Sequence, residues 1–222
     1  MNVCSCPAAT ALPTIPAAQC AETFGQIQKV AFMRLRSSDG VENKFVEGVD
    51  ATAIEKKAAW TAKMAKSDYE KVVISPYIQA PADDGGDART FGGGNETLGG
   101  IEQIIGRNPT TFSGVMRSVP QAIIKTMKAL ECEAQAGNLG VILFDENGAI
   151  EAIKESVTVE STTTVSYKPI PIRSLFIGDK KHGNFEALDN NAISWSYLPN
   201  YSDDLDIIAA SDFNPLTDLI PA

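Results

Sequence analysis

One histidine serves the whole chain. His182 sits in GDKKHGN, a basic, glycine-bounded stretch that reads as a solvated loop. A serine or cysteine nucleophile needs a base, and here every such arrangement would route through that single ring. A hydrolase of that kind is disfavoured, and no catalytic residue is assigned. Positive charge is scarce as well. Nineteen Lys and Arg stand against 28 Asp and Glu, a formal net charge of −9. Such a surface repels a phosphate backbone, which argues against tight nucleic-acid binding. The same bias suits a wall past which DNA slides without sticking. No apolar run reaches the length of a membrane span.

Cysteine is sparse and lopsided: Cys4, Cys6, Cys20 and Cys132, three of them in the first twenty residues. That is not a disulfide framework spread through a core, and free thiols in a reducing cytoplasm are the default. The four are also the candidate ligands for a soft metal such as zinc. Structural zinc pairs cysteines across two to four residues; here the gap is one and no second pair follows, so no metal or cofactor is assigned. The opening MNVCSCPAATALPTIPAAQC lacks the basic start and apolar stretch of a secretory signal and reads as mature protein.

What is present is strand pattern. The chain reads as one structural domain, 1–222, mainly β with some α: a β-sandwich or barrel-like sheet with one flanking helix. Residues 1–25, broken by Pro7, Pro13 and Pro16, form an N-terminal arm, and 199–222 a C-terminal arm. In QIQKVAFMRLR, Ile27, Ala31, Met33 and Leu35 share one face and Val30 and Phe32 the other, so both faces are covered. KVVISPYI is a strand that Pro76 confines to an edge or ends early. GVILF leads into Asn147–Gly148, a hairpin signal. SVTVESTTTVSY alternates as a strand, with Val157, Val159, Val165 and Tyr167 on one face. IRSLFIG follows Pro169 and Pro171. AISWSYL puts Ile193, Trp195 and Tyr197 on one face.

Two helices are expected. Over 52–66, Thr52 and Glu55 form a capping-box pattern and Trp60 and Met64 share a stripe. Over 119–136, Ser118 and Gln121 form another box and Gly137–Asn138 a stop. Ile123, Met127, Leu130 and Ala134 make its stripe, with Cys132 roughly opposite Ile123. Glu131 and Glu133 oppose the helix dipole there without evident reason. Between the helices, APADDGGDARTFGGGNETLGGIEQIIG (80–106) reads as a long glycine-rich loop, ordered by a neighbour.

Further motifs weigh toward the plain reading. Gly94 and Gly99 have phosphate-loop spacing, but Gly100 and Ile101 stand where Lys and Ser or Thr are required. Asp83, Asp84 and Asp87, and Asp203, Asp204 and Asp206, lack the order of a calcium loop and read as solvated charge. Trp195, Tyr197 and Tyr201 suit a sugar platform, yet on an alternating strand they face the core.

The stretches AETFGQIQKVAFMRL, RTFGGGNETLGGIEQIIGRNPTTF, PIPIRSLFIGDKKHG and YSDDLDIIAASDFNPLTDL resemble structural proteins of tailed phages and prophages of gut-type bacteria. The order of β-rich domain, flanking helix, long loop and terminal arms is similar to that of major tail-tube subunits. The resemblance implies a virion protein without catalytic activity, made in the host cytoplasm. Its partners would be copies of itself in rings of six, with other tail or connector proteins, around a channel through which DNA passes without specific binding. The alternatives are a capsid decoration or head–tail connector protein and, from another class, a glycan- or protein-binding module using the 80–106 loop.

Overall fold

The chain is described from a computed structural model. It covers residues 15, 17 and 23–220, apart from 49, 160 and 161. The expected N-terminal arm therefore lies almost wholly outside the described residues, and Cys4, Cys6 and Cys20 with it.

In chain order, β1 (Ile27–Arg34) and β2 (Phe45–Val46) precede α1 (Lys57–Met64), and β3 (Val72–Ile74) and β4 (Gln79–Asp84) follow. Next come β5 (Ala88–Phe91), β6 (Gln103–Arg107), β7 (Thr111–Arg117), α2 (Gln121–Lys128) and α3 (Leu130–Ala136). The second half is β8 (Leu139–Asp145), β9 (Ala149–Val159), β10 (Thr162–Lys168), β11 (Ile170–Ile177), β12 (Asn190–Tyr197), β13 (Leu205–Ala209) and α4 (Pro215–Asp218). The protein is mainly β, as expected. One antiparallel sheet runs β2-β10-β9-β8-β11-β12-β7-β4, with β1 and β3 added at β8 and β13 at β9, while β5 and β6 pair only with each other.

The spine is β8. All seven of its residues are buried. β1 pairs along its full length, while β11 at Gly140–Val141 and β9 at Leu143–Phe144 also bond to it. Gly140 permits that crowding: a Cβ there would stand 2.7 Å from Leu35, 2.8 Å from Pro169 and 3.0 Å from the Ile170 carbonyl. β11 leaves β8 after two residues to pair with β12, which carries β7 and β4. The sheet thus turns over on itself.

Alternation along β8 feeds two cores. Leu139, Val141 and Leu143 join Val30, Phe32, Ile172, Ile193, Trp195 and Tyr197 in the interior between the layers, which α2 and α3 close with Ile124, Met127 and Ala134. Trp195 stacks on Phe112 with centroids 4.0 Å apart. Ile142 and Phe144 face the other way, toward Ala31, Met33, Phe45, Trp60 and Tyr167. Trp60 is fully buried there, tilted against Phe45 at 4.5 Å and edge-on to Phe144 at 5.3 Å, and its indole N–H donates to the Ile54 carbonyl at 2.7 Å. β1 is covered on both faces, as its sequence implied. A bulge between Ile27 and Lys29 shifts parity, however, so Ile27 joins Val30 and Phe32 rather than Ala31 and Met33.

Several expectations need correction. The 52–66 helix is shorter and the Thr52–Glu55 box does not form. Ala53 and Ile54 are buried in a turn bonded to Val46, which holds the chain out of the helix. The cap comes from far away, where Asp212 accepts the Lys57 N–H at 2.8 Å. The 119–136 helix is two helices, interrupted at Ala129. Ser118 makes no cap, because its φ is +53° and its N–H donates to the Asp189 carbonyl. Ala129 keeps helical dihedrals, φ −64° and ψ −23°, and Glu131 and Glu133 are explained by their partners. Glu131 accepts the Ile177 N–H at 2.7 Å, and Glu133 pairs with Arg34. SVTVESTTTVSY is a hairpin, not one strand. Val157 lies across from Thr164 and Val165 across from Ser156, so the two valines take opposite faces. The C-terminal arm is not an arm. β13 pairs with β9, Leu219 is buried, and the Lys29 ammonium donates to the carbonyls of Leu216 at 2.5 Å and Leu219 at 3.3 Å.

Other expectations hold. Among the described residues β3 pairs only with β1, at an edge, ahead of Pro76. Gly137, left-handed at φ +74°, ends α3. The turn at Asn147–Gly148 is held by Asp145, whose Oδ1 accepts N–H groups of Asn147 and Ala149. Trp60→Ala should lower unfolding free energy by about 3–5 kcal/mol, whereas the exposed Cys132→Ser should stay within about 0.5 kcal/mol. Urea titration followed by far-UV circular dichroism measures both; a Trp60 effect below 1 kcal/mol would show that the second core is not as tightly filled as described.

Candidate assembly surface

The segment expected as an irregular loop, 80–106, is partly strand. β4 lies on β7, and β5 and β6 form a hairpin that stands away from the body. Every residue of β5 and β6 is exposed. Even so, Phe91, Leu98, Ile101, Ile104 and Ile105 are each more than half exposed, and Leu98, on a short 3-10 turn at the tip, is fully so. Pairing puts Ile104 beside Thr90 and Phe91 beside Gln103, on opposite faces, so neither face is purely polar. A two-stranded hairpin without a sheet or helix behind it is marginal in water. This one gains its hold from the root, where Asn108 N–H meets the Asp87 carbonyl at 2.9 Å and Arg107 reaches the Asn200 side chain at 2.9 Å.

The β9–β10 hairpin projects too. Beyond Glu155, Ser156, Val157, Thr158, Thr163 and Thr164 are exposed. Lys168 fastens its root, with Glu42 and Glu155 each 2.6 Å from the ammonium. The hydrogen bond from Lys168 holds the Glu42 carboxyl below its ordinary range against a smaller desolvation effect. Burial alone would depress the Lys168 ammonium, but the bonds to Glu155 and Glu42 outweigh it and raise it.

Sheet edges differ in how well they are blunted. β4 carries Pro81, Asp83, Asp84 and a bulge, and β2 and β3 are two and three residues long. Those are the usual devices against edge-to-edge pairing. β6, QIIGR, has none of them before its final arginine and no second strand partner among the described residues.

A groove of about 850 Å³ opens between the start of α2 and the 180–189 loop. Val119, Pro120, Phe185 and Leu188 give it an apolar lining, with Lys180 and Asp189 at its side. Phe185 is fully exposed and Leu188 more than half so. The loop is well tied. Asp189 accepts the Gly183 N–H at 2.7 Å and pairs with Lys180 at 2.5 Å, contacts that hold its carboxyl below the usual range. Arg117, Lys125, Lys128, Lys180 and Lys181 outnumber Asp179, Glu186 and Asp189 on the flanking elements, a local reversal of the chain's acidic balance.

No family model matches the chain, and no curated relative does. Among solved structures, a chain described as "Crystal structure of Hcp protein" is similar at 14% identity, over 76% of this chain and 88% of that one, with a TM-score of 0.20. A superposition that loose fixes no shared architecture.

The sequence candidates are scattered. Cys132 is exposed on α3, and its three proposed companions lie outside the described residues. Among the described residues no three His, Cys, Asp or Glu side chains converge as a metal site, and no helix is long and apolar enough to cross a membrane. His182 is exposed, 3.9 Å from Asp189. Trp195 and Tyr197 are core, with Tyr201 stacked on Tyr197 at 4.2 Å, so they form no platform. Asp206 is drawn off to Lys154 at 2.8 Å and the Tyr167 hydroxyl. What sequence reading missed was the groove; Phe185 and Leu188 inside a polar loop were its one signal.

Two outcomes are expected. In the unassembled chain, amides of β5 and β6 should exchange within minutes while those of β8 persist far longer; equal protection would mean that the hairpin is packed. Because the Glu42 carboxyl is depressed, its contribution is complete above the ordinary carboxylate range, about pH 4, and is lost as pH falls through its lower folded value. Glu42→Gln should therefore cost no more than about 1 kcal/mol at pH 7, since the pair is partly solvated, and the difference in Tm should shrink as pH falls below the ordinary carboxylate range. A difference unchanged by acid would count against the ion pair.

Proposed function

We propose that the chain is a non-catalytic structural subunit of a phage tail tube, assembling with copies of itself into stacked rings around a channel for DNA. On this reading it is made in the host cytoplasm and resides in the virion. The observation that carries it is the β5–β6 hairpin. Five large apolar side chains stand exposed on a paired ribbon that buries none of its own residues. A free monomer rarely keeps such a feature, because it invites aggregation unless a specific partner covers it.

Three further facts support the reading. The sequence stretches that resemble tailed-phage structural proteins include this hairpin from Arg89 on and the first residues of the groove loop, 180–183. The net charge of −9 suits a wall that a polyanion must pass without adhesion. The projecting hairpins and the groove lie on different elements, and contact between unlike surfaces propagates into rings or stacks.

Negative-stain electron microscopy of the purified chain over a concentration series tests this. Rings or tubes of uniform diameter are expected, with hairpin amides protected in the assembled material. A chain that stays a monodisperse monomer at millimolar concentration, and saturably binds a glycan or an unrelated protein, would overturn the proposal in favour of a binding module.

A further inference from the structure

We propose that the apolar tip of the β5–β6 hairpin of one copy seats in the groove between α2 and the 180–189 loop of another. The inference rests on the self-assembly reading and names the two surfaces that would carry it.

The two surfaces match in kind. The tip offers Leu98 and Ile101, fully and two-thirds exposed, on a ribbon whose narrow glycine turns let it enter a cleft. The groove offers Val119, Pro120, Phe185 and Leu188 around about 850 Å³, enough for two aliphatic side chains and their backbone. Charge matches as well. Asp83, Asp84, Asp87, Glu96 and Glu102 outnumber Arg89 and Arg107 on the hairpin and its root, whereas five Lys and Arg stand against three Asp and Glu on the elements flanking the groove, with Lys128 paired to Asp179 and Lys180 to Asp189. Opposite charge would favour approach of the tip to the groove. The groove side is preorganised, since Asp189 already binds Gly183 and Lys180 and its carbonyl accepts the Ser118 N–H. A ready-made receptor spares the ordering cost on one side of the contact.

The contact is head-to-tail: each copy contributes a tip to one neighbour and a groove to the other. That asymmetry gives a decisive experiment. A tip variant, Leu98→Asp with Ile101→Asp, and a groove variant, Phe185→Asp with Leu188→Asp, are prepared in the otherwise unaltered chain. All four sites are exposed, so both variants should melt within a few degrees of the unsubstituted protein. By light scattering after gel filtration, each alone should remain monomeric where the unsubstituted chain assembles. Mixed in equal amounts, they should form a one-to-one dimer and nothing larger, because only one intact tip and one intact groove remain. Assembly of either variant alone, or a mixture that stays monomeric, would overturn the pairing while leaving self-assembly intact. An unsubstituted chain that never assembles would instead remove the functional reading beneath it.

Discussion

Everything in this fold is arranged around a strand with no polar face. In β8, LGVILFD, each side chain before the final aspartate is apolar or absent, so the strand must be covered above and below at once. A single sheet packed on one layer cannot do that. The chain meets the demand with two cores of different character. One lies between turned-over sheet layers and is closed by α2 and α3; the other is a shallower cluster around Trp60, roofed by α1 and the C-terminal residues. Each large side chain moved from water to either core contributes about 1.5–3 kcal/mol. With β1, β9 and β11 bonded to β8, less apolar sequence is left to the margins, where β2 and β3 are short, β4 is charged, and two ribbons extend past the body.

Those ribbons separate the parts that specify the fold from the parts available for contact. The core tolerates little change, since Gly140 and Trp60 are held by neighbours within van der Waals reach. The β5–β6 hairpin has no such obligations to its own chain. Its apolar content is therefore not accounted for by packing within the chain, and the proposed assembly would give it a partner. The groove beside α2 has the same standing: Phe185 stabilises nothing in its own molecule from a fully exposed position.

Much of the core was legible in the sequence. The alternation of Ile193, Trp195 and Tyr197, the Asn147–Gly148 turn, the edge position of β3 before Pro76 and the glycine stop at 137 all follow from local rules. What local rules missed was supplied by distant partners. Asp212 caps a helix that begins 155 residues earlier, and no spacing near Thr52 announces it. Bulges were equally opaque, because one extra residue beside Ile27 reverses the facing of those before it. The interruption at Ala129 was hidden by good helix formers on both sides, and the roles of Glu131 and Glu133 were hidden because Ile177 and Arg34 are far away in sequence. The groove was invisible because its walls, 118–121 and 180–191, are far apart in sequence and are brought together by the β7–β12 ladder and the Ser118–Asp189 backbone bond.

The Lys29 ammonium belongs to the first strand, yet the carbonyls it binds are at Leu216 and Leu219, 187 and 190 positions downstream. During synthesis that cation is made well before its carbonyl partners and stays in water until the 216–219 segment follows it. The second core, which needs Ile208 and Leu219 from the same late segment, stays open for as long. Closing that side is therefore a long-range step, completed only when residues 208–219 reach the strands made before them.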